Sequence, residues 1–281
     1  MNLIDCHTHT QYSVDSDADI NAMVERACEL NLTAYAITDH CECNCFYHKE
    51  HYTENKYSDY FGYCDDFEGS VSAVTALKEK YGNKLNLLCG TELGQATHDF
   101  ETAEKIVSDP RLDFVIGSMH QLPGIEDFAF IDYTKYTKDS IYGLLERYFN
   151  EIYKLCKWGK FDVLGHLTYT LRYIQGNFGI EVDTSRYDEI IAESFRTLIH
   201  NGCGIEINTS GLRQAYGRTF PSLEYVKLYR SLGGEILSIG SDAHTVEDLG
   251  KGIKEGAELA LEAGFKHLCW FKQRKPVFTE I

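Results

Sequence analysis

Apolar residues along the chain alternate between two periods. Seven short β-branched runs, near residues 3–6, 34–38, 86–91, 113–118, 161–165, 204–208 and 235–240, have the length and composition of buried strands. Between them, polar and apolar residues recur at helical spacing, predicting helices near 19–31, 65–81, 99–107, 138–158, 184–201, 221–232 and 246–263. In the first helix, Ile20, Met23, Val24, Ala27 and Leu30 form one apolar stripe. Caps are predicted at Asp19, at Thr184 with Tyr187 following, at Ser222 after Pro221, and at Thr245 with Asp248 three residues on. Regular strand–helix alternation without a linker predicts one α/β domain over 1–281, a closed TIM-barrel-like parallel sheet with helices outside.

Each strand-like run stops at, or one to three residues before, a side chain able to bind a metal. In chain order these are His7 and His9, Asp39 and His40, Glu92, His120, His166, Glu206, and Asp242 with His244. Barrel strands direct their C-termini at one mouth, so a repeated strand-end donor describes a single pocket. His7 and His9 are two apart and project from the same side of a strand, and Asp242 and His244 repeat that spacing on the last strand. First and last strands are neighbours in a closed barrel, so the two chelates meet. Imidazoles and carboxylates suit zinc, iron or manganese.

The segments HTHTQYSVDS (7–16), ITDH (37–40), GTELG (90–94), GSMH (117–120), DVLGHL (162–167) and GSDAH (240–244) jointly resemble the PHP family, named for polymerase and histidinol phosphatase. The resemblance runs over nearly the whole chain. It implies a distorted (β/α)7 barrel forming a single metal-dependent phosphatase domain with up to three divalent ions. It also implies the ligand sets: His7, His9, Glu92 and Asp242; Glu92, His120 and His166; and Asp15, His40 and His244. Family members often carry histidine where Asp15 stands, and a carboxylate there suits iron or manganese. A trinuclear site of this kind implies a metal-bridging hydroxide as nucleophile, with Glu92, Asp242 and His244 as catalytic residues. Chain length and the pieces DVLGHLTYTLRY and EINTSGLR resemble the histidinol-phosphate phosphatase branch, implying hydrolysis of L-histidinol phosphate in histidine biosynthesis. Arg172 and Arg213, close behind the fifth and sixth strands, are expected to bind phosphate, with Tyr169 and Ser210 as weaker donors. Glu42, Asp39 or the acidic loops are open as partners for the amine and imidazole of histidinol.

Net charge is −16, which argues against a nucleic-acid footprint and means that an anionic substrate needs specific cationic contacts. A small phosphorylated substrate is therefore expected, with no nucleic-acid or membrane partner. Ten cysteines, and an N-terminus MNLIDCHTH that does not read as a signal peptide, predict reduced thiols and a cytoplasmic location. Long loops at 41–64 and 121–137, and a third at 167–183, should shape substrate binding. Cys41, Cys43 and Cys45 lack a complementary zinc half-site and read as loop residues, as do His48 and His51. His98, His200 and His267 fall in segments read as helical and away from strand ends, while Asp39, Glu206 and Asn208 are expected to support ligands. The alternatives are a related phosphoesterase acting on another small ester or a nucleotide, a catalytically dead barrel used for binding, and an amidohydrolase. The last would want a carboxylated lysine where the fourth strand ends in His120.

Overall fold

A computed structural model describes residues 2–43 and 66–281. Its parallel sheet contains β1 (Ile4–Asp5), β2 (Ala34–Ile37), β3 (His40–Glu42), β4 (Asn86–Gly94), β5 (Phe114–Ser118), β6 (Val163–Leu164), β7 (Gly204–Asn208) and β8 (Leu237–Gly240). The order is β1-β2-β4-β5-β6-β7-β8, with β3 also paired to β4. β2 and β3 are two halves of one strand position, interrupted at Thr38 and Asp39, so seven positions surround the barrel, as the sequence predicts. β1 meets β8 through Cys6 N–H donating to the Ile239 carbonyl at 2.8 Å and Asp242 N–H to His7 O at 2.7 Å. Asp5 strengthens this seam. Its buried carboxylate accepts from Ser241 N (2.8 Å), Ser241 Oγ (2.6 Å) and Gly250 N (3.0 Å).

Among the described residues, seven α-helices follow the strands: α1 (Ile20–Glu29), α2 (Phe67–Tyr81), α3 (Phe100–Val107), α4 (Lys138–Trp158), α5 (Asp188–Asn201), α6 (Leu223–Ser231) and α7 (Ile253–Glu262). α1 is capped by Asp19, which accepts from Ala22 N, and it buries Ile20, Met23, Val24 and Ala27. The expected stripe therefore packs on the sheet, and such burial contributes roughly 1.5–3 kcal/mol per large side chain. Three boundaries differ from expectation. Asp183, not Thr184, caps a short 3-10 turn before α5. Ser222 precedes α6 without a side-chain capping bond. The Thr245 hydroxyl accepts from Asp248 N at 3.3 Å, but Gly250 and Gly252 then take φ near 80° and delay α7 to Ile253.

The barrel is not the end of the described chain. β9 (His267–Lys272) and β10 (Lys275–Glu280) form an antiparallel hairpin, so His267 lies on a strand rather than in a helix. The hairpin tip seals the barrel floor, where strands begin. Arg274 donates to Asp162 Oδ2 (2.6 Å), Lys160 O (2.9 Å) and Val107 O (3.2 Å), and the Gln273 N–H donates to Asp113 Oδ1 (3.0 Å). Phe271 stacks on Phe114, with ring centroids 5.1 Å apart.

Candidate metal centre

Opposite that floor, the strand C-termini bring the expected donors together around Glu92. Its Oε2 lies 3.0 Å from His40 Nδ1, 3.2 Å from His7 Nε2 and 3.5 Å from His9 Nε2. Its Oε1 lies 2.7 Å from His166 Nε2 and 3.1 Å from His120 Nε2. Sheet register explains part of this convergence, since His40 stands directly opposite Glu92 on the neighbouring strand. Asp242 approaches from β8, with Oδ1 3.4 Å from His9 Nε2 and 3.9 Å from His7 Nε2. It adopts φ 55°, a left-handed conformation uncommon for a non-glycine residue and frequent at functional sites. Asp15 Oδ2 reaches His244 Nε2 at 3.1 Å and His40 Nε2 at 3.5 Å. This outer group is the accessible one: the Asp15 and His244 side chains are 42 % and 28 % exposed, against 1 % for Glu92.

Acceptors behind the histidines decide which ring nitrogen faces inward. His7 Nδ1 donates to Glu206 Oε1 at 2.7 Å, and His120 Nδ1 donates to Glu42 Oε1 at 2.9 Å. With a carboxylate oxygen as the acceptor, the neutral form of each ring carries its hydrogen at Nδ1 and has its lone pair at Nε2. His9 reaches the same state through Ser13. That hydroxyl donates to Asp39 Oδ1 (2.8 Å), and so accepts from His9 Nδ1 (3.2 Å) and His40 N (3.0 Å). His244 Nδ1 faces the Asp242 carbonyl at 3.1 Å. Buried His7 Nε2, His9 Nε2 and His40 Nδ1 make no hydrogen bond. Buried polar atoms are rarely left without a partner, and an inward-facing imidazole lone pair is a metal ligand in waiting. Donor atoms cluster within 4.8 Å as His7, His9 and Glu92; as His40, Glu92 and His120; and as His9, His40 and His244. His40 thus touches the Glu92–His120 group as well as the outer one.

Protons compete for those lone pairs. Burial opposes charge on His120, but Glu92 and Glu42 outweigh it and push the ring up to about 10. Burial likewise opposes charge on His7, where Glu206 and Glu92 win and raise it well above the ordinary value. His9 goes the other way, to about 3, through burial and repulsion from His244 and His40. Burial would raise Glu92, yet His7, His120 and His40 hold it well below the usual carboxylate range.

Sequence reasoning left the function of Glu42 open and did not identify Gln95. Glu42 continues the interrupted strand into β3, and its carboxylate folds across Gly94, where any Cβ would collide with it. Gln95 Nε2 donates to Glu42 Oε2, and its Oε1 accepts from His120 N at 3.2 Å. Asp39 is not within the donor cluster. It accepts from Thr10 N (2.6 Å), Thr10 Oγ1 (2.8 Å), Ser13 Oγ and Ser70 Oγ (2.6 Å), fastening the loop that carries His9. Glu206 also receives His166 N at 3.0 Å, and Gly240 leaves room for the Glu206–His7 contact, which a Cβ would obstruct.

The predicted substrate residues flank Asp242. Arg172 opens a π-helical turn, Arg172–Asn177, and its Nη2 donates to Asp242 Oδ2 (2.8 Å) and Ser210 Oγ (2.7 Å). Its buried Nε has no partner. Arg213 donates to the carbonyls of Ser241 (2.6 Å) and Asp242 (2.7 Å). Both line a cleft of about 430 Å³ with Gln214, Asp242, His244, Asp248 and Lys251. The Ser210 hydroxyl donates to Asn208 Oδ1 at 2.6 Å and is buried behind Arg172. Tyr169 packs against His120 and His166, with centroids 4.9 and 5.0 Å away, and its hydroxyl meets Tyr173 OH at 2.8 Å. Cys41 and Cys43 are buried; Cys45, His48, His51 and most of loop 41–64 lie outside the described residues. His98 closes a 3-10 turn and His200 lies in α5, neither among the clustered donors.

A closed parallel barrel with imidazoles and carboxylates pooled at one rim has the makeup of a site for divalent metal. The family can be named as well: residues 5–210 match the PHP domain, and the chain belongs to the PHP family. A probable histidinol-phosphatase of Thermotoga maritima is 25 % identical over 276 residues, covering 95 % of each chain. The histidinol-phosphatase of Lactococcus lactis is 24 % identical, covering 98 % of this chain and 96 % of its own. A crystal structure of histidinol phosphate phosphatase from L. lactis, complexed with zinc, L-histidinol and phosphate, has a TM-score of 0.78 at 22 % identity, covering 98 % of this chain and 99 % of that one. That likeness establishes the distorted barrel fold. Among the described residues, no helix is long and apolar enough to cross a membrane.

Proposed function

We propose that this protein is a divalent-metal-dependent phosphatase that hydrolyses L-histidinol phosphate to L-histidinol and phosphate, with residues 1–281 acting as one catalytic domain. The observation that carries the proposal is the shared orientation of His7, His9 and His120: partners at Nδ1 turn Nε2 of each toward Glu92, beside a cleft lined by two arginines. The substrate assignment draws on the relatives, whose names agree along nearly the full length of both chains.

In this reading His7, His9, Glu92 and Asp242 hold one ion. Glu92, His120 and His166 hold a second, and Asp15, His40 and His244 a third, each zinc, iron or manganese. When bound, such ions supply Lewis acidity toward phosphoryl oxygens and bring a water molecule near neutrality in pKa. The chain's own residues do the rest. Arg172 offers its unpartnered Nε to a phosphoryl oxygen while Asp242 and Ser210 hold the guanidinium in place. Arg213 lines the same cleft, anchored on the Asp242 backbone. Tyr169 closes the wall behind His120 and His166 and excludes water there.

Phosphate release from histidinol phosphate, nucleoside monophosphates and p-nitrophenyl phosphate tests the assignment, with metal content measured on the same preparation. Histidinol phosphate should be preferred, and chelation should abolish turnover. Equal rates across the panel would refute the substrate, and full activity of demetallated protein would refute the metal centre.

A further inference from the structure

Gln95 stands where the backbone argues against a side chain. It follows β4 with φ 53°, left-handed backbone in which glycine is at home, yet it carries a long amide and is only 2 % exposed. That amide spans the gap between two strand ends. Its Oε1 accepts from His120 N at 3.2 Å, and its Nε2 donates to Glu42 Oε2. Its own backbone N–H donates to Ser118 O at 3.1 Å, so Gln95 ties the ends of β3, β4 and β5 together at the rim.

These bonds permit one arrangement. A backbone N–H only donates, so His120 N turns the Gln95 oxygen toward itself and the NH2 toward Glu42. That NH2 needs an acceptor, which the Glu42 carboxylate supplies at Oε2. Glu42 Oε1 is then held 2.9 Å from His120 Nδ1 and 3.5 Å from His40 Nδ1. The hydrogen bonds form a ring that leaves His120 at its backbone N and returns at Nδ1, with Nε2 aimed at Glu92 Oε1 (3.1 Å). Glu42 belongs to none of the clustered donor groups among the described residues. The other two oriented rings have support of the same kind. Asn208 donates to Glu206 behind His7 at 3.4 Å, and Asp39 accepts from Ser13 behind His9 at 2.8 Å.

We propose that Gln95 is a positioning residue for one ion of the centre: its grip on Glu42 keeps that carboxylate behind His120 and out of the donor cluster, so the ring presents Nε2. This rests on the reading of Glu92, His120 and His166 as ligands of a single ion.

The test measures zinc binding by two variants. Gln95→Asn suits left-handed backbone but is one carbon too short to bridge, and Gln95→Met keeps the length without the bonds. Stepwise titration against a chromophoric chelator should show one Kd raised roughly 10- to 100-fold, as for other residues that orient ligands, while another stays within about twofold. Histidine 15N spectra of the zinc-loaded proteins identify the weakened site. Wild-type His120 should carry its proton at Nδ1 and bind through Nε2; both variants should lose that pattern at His120 while His7 keeps it. Because Gln95 acts through Glu42, Q95N in an E42Q background should weaken the ion no further than E42Q alone. Unchanged affinity, equal losses for every ion, or an added loss over E42Q overturns the inference, and either variant decides it if the other does not fold. Wild-type protein that takes up fewer than two zinc ions would instead defeat the ligand assignment on which the inference rests.

Discussion

Glu206→Gln tests whether the proton on His7 is fixed from behind. The Glu206 carboxylate receives three donors: His7 Nδ1 at 2.7 Å, His166 N at 3.0 Å and Asn208 Nδ2 at 3.4 Å. Asn208 cannot turn its amide over, because its Oδ1 already accepts from Ser210 N and Ser210 Oγ. Glutamine has nearly the same shape but replaces one acceptor with an NH2 group. If its oxygen faces His7, the NH2 confronts the His166 N–H and the Asn208 amide, donor against donor, at a cost of about 1–3 kcal/mol in a buried setting. If its NH2 faces His7, the ring proton moves to Nε2 and the inward lone pair disappears. Either arrangement should weaken ion binding by about 1–3 kcal/mol, or roughly 5- to 150-fold in Kd. Zinc titration against a chromophoric chelator measures this directly, with kcat determined at saturating metal. A Kd within twofold of wild type would refute the tautomer argument.

Glu92→Gln removes the charge facing five imidazoles, and we expect at least about a 10³-fold loss of activity, equivalent to some 4 kcal/mol, with reduced metal content and a native circular dichroism spectrum. Undiminished metal content would contradict a shared carboxylate. Because His120 is pushed up to about 10 and His7 is raised, ions must displace protons from these rings. Calorimetry in buffers of different ionisation enthalpy should therefore show net proton release near neutral pH, and affinity should fall with falling pH. The sign reverses for chelator-stripped protein. Its raised histidines add stability below their unfolded pKa of about 6.5, and that contribution declines as pH rises toward about 10. Far from the mouth, Arg274→Ala should lower stability by about 1–3 kcal/mol in chemical denaturation while leaving kcat/KM unchanged; altered kinetics would show that floor and mouth are coupled.

The barrel and the meeting of eight of the nine expected side chains were legible because strand runs and ligand-type residues coincide along the chain, and a barrel sends every strand end to the same rim; Asp15 lies beyond the first strand end and came only from the family resemblance. The residues that complete the site were harder to find. Glu42 follows a break at Thr38 and Asp39, so it read as the beginning of a loop, while its pairing opposite Gly94 exists only in the folded sheet. Asp39 sits beside a ligand in sequence, yet four donors occupy its oxygens, and its influence on His9 passes through Ser13. The closing hairpin was missed for a different reason. Gln273 and Arg274 take left-handed φ values of 49° and 61° at its turn, without the Asn-Gly or Asp-Gly pair that usually marks such turns. The cis Phe220–Pro221 bond and the π-turn at Arg172 likewise carry no local pattern of apolar residues.

The Arg274 seal gives the barrel strands two separate jobs. Asp113 and Asp162 lie just ahead of β5 and β6 and are held by the hairpin, whereas His120 and His166 follow the same strands at the other rim. Five residues of β5, at roughly 3.3 Å each, separate the two rims by about 16 Å. Descendants of such a scaffold can therefore exchange the rim loops that select a substrate while inheriting an untouched foundation. Chemical novelty and structural integrity become separately heritable.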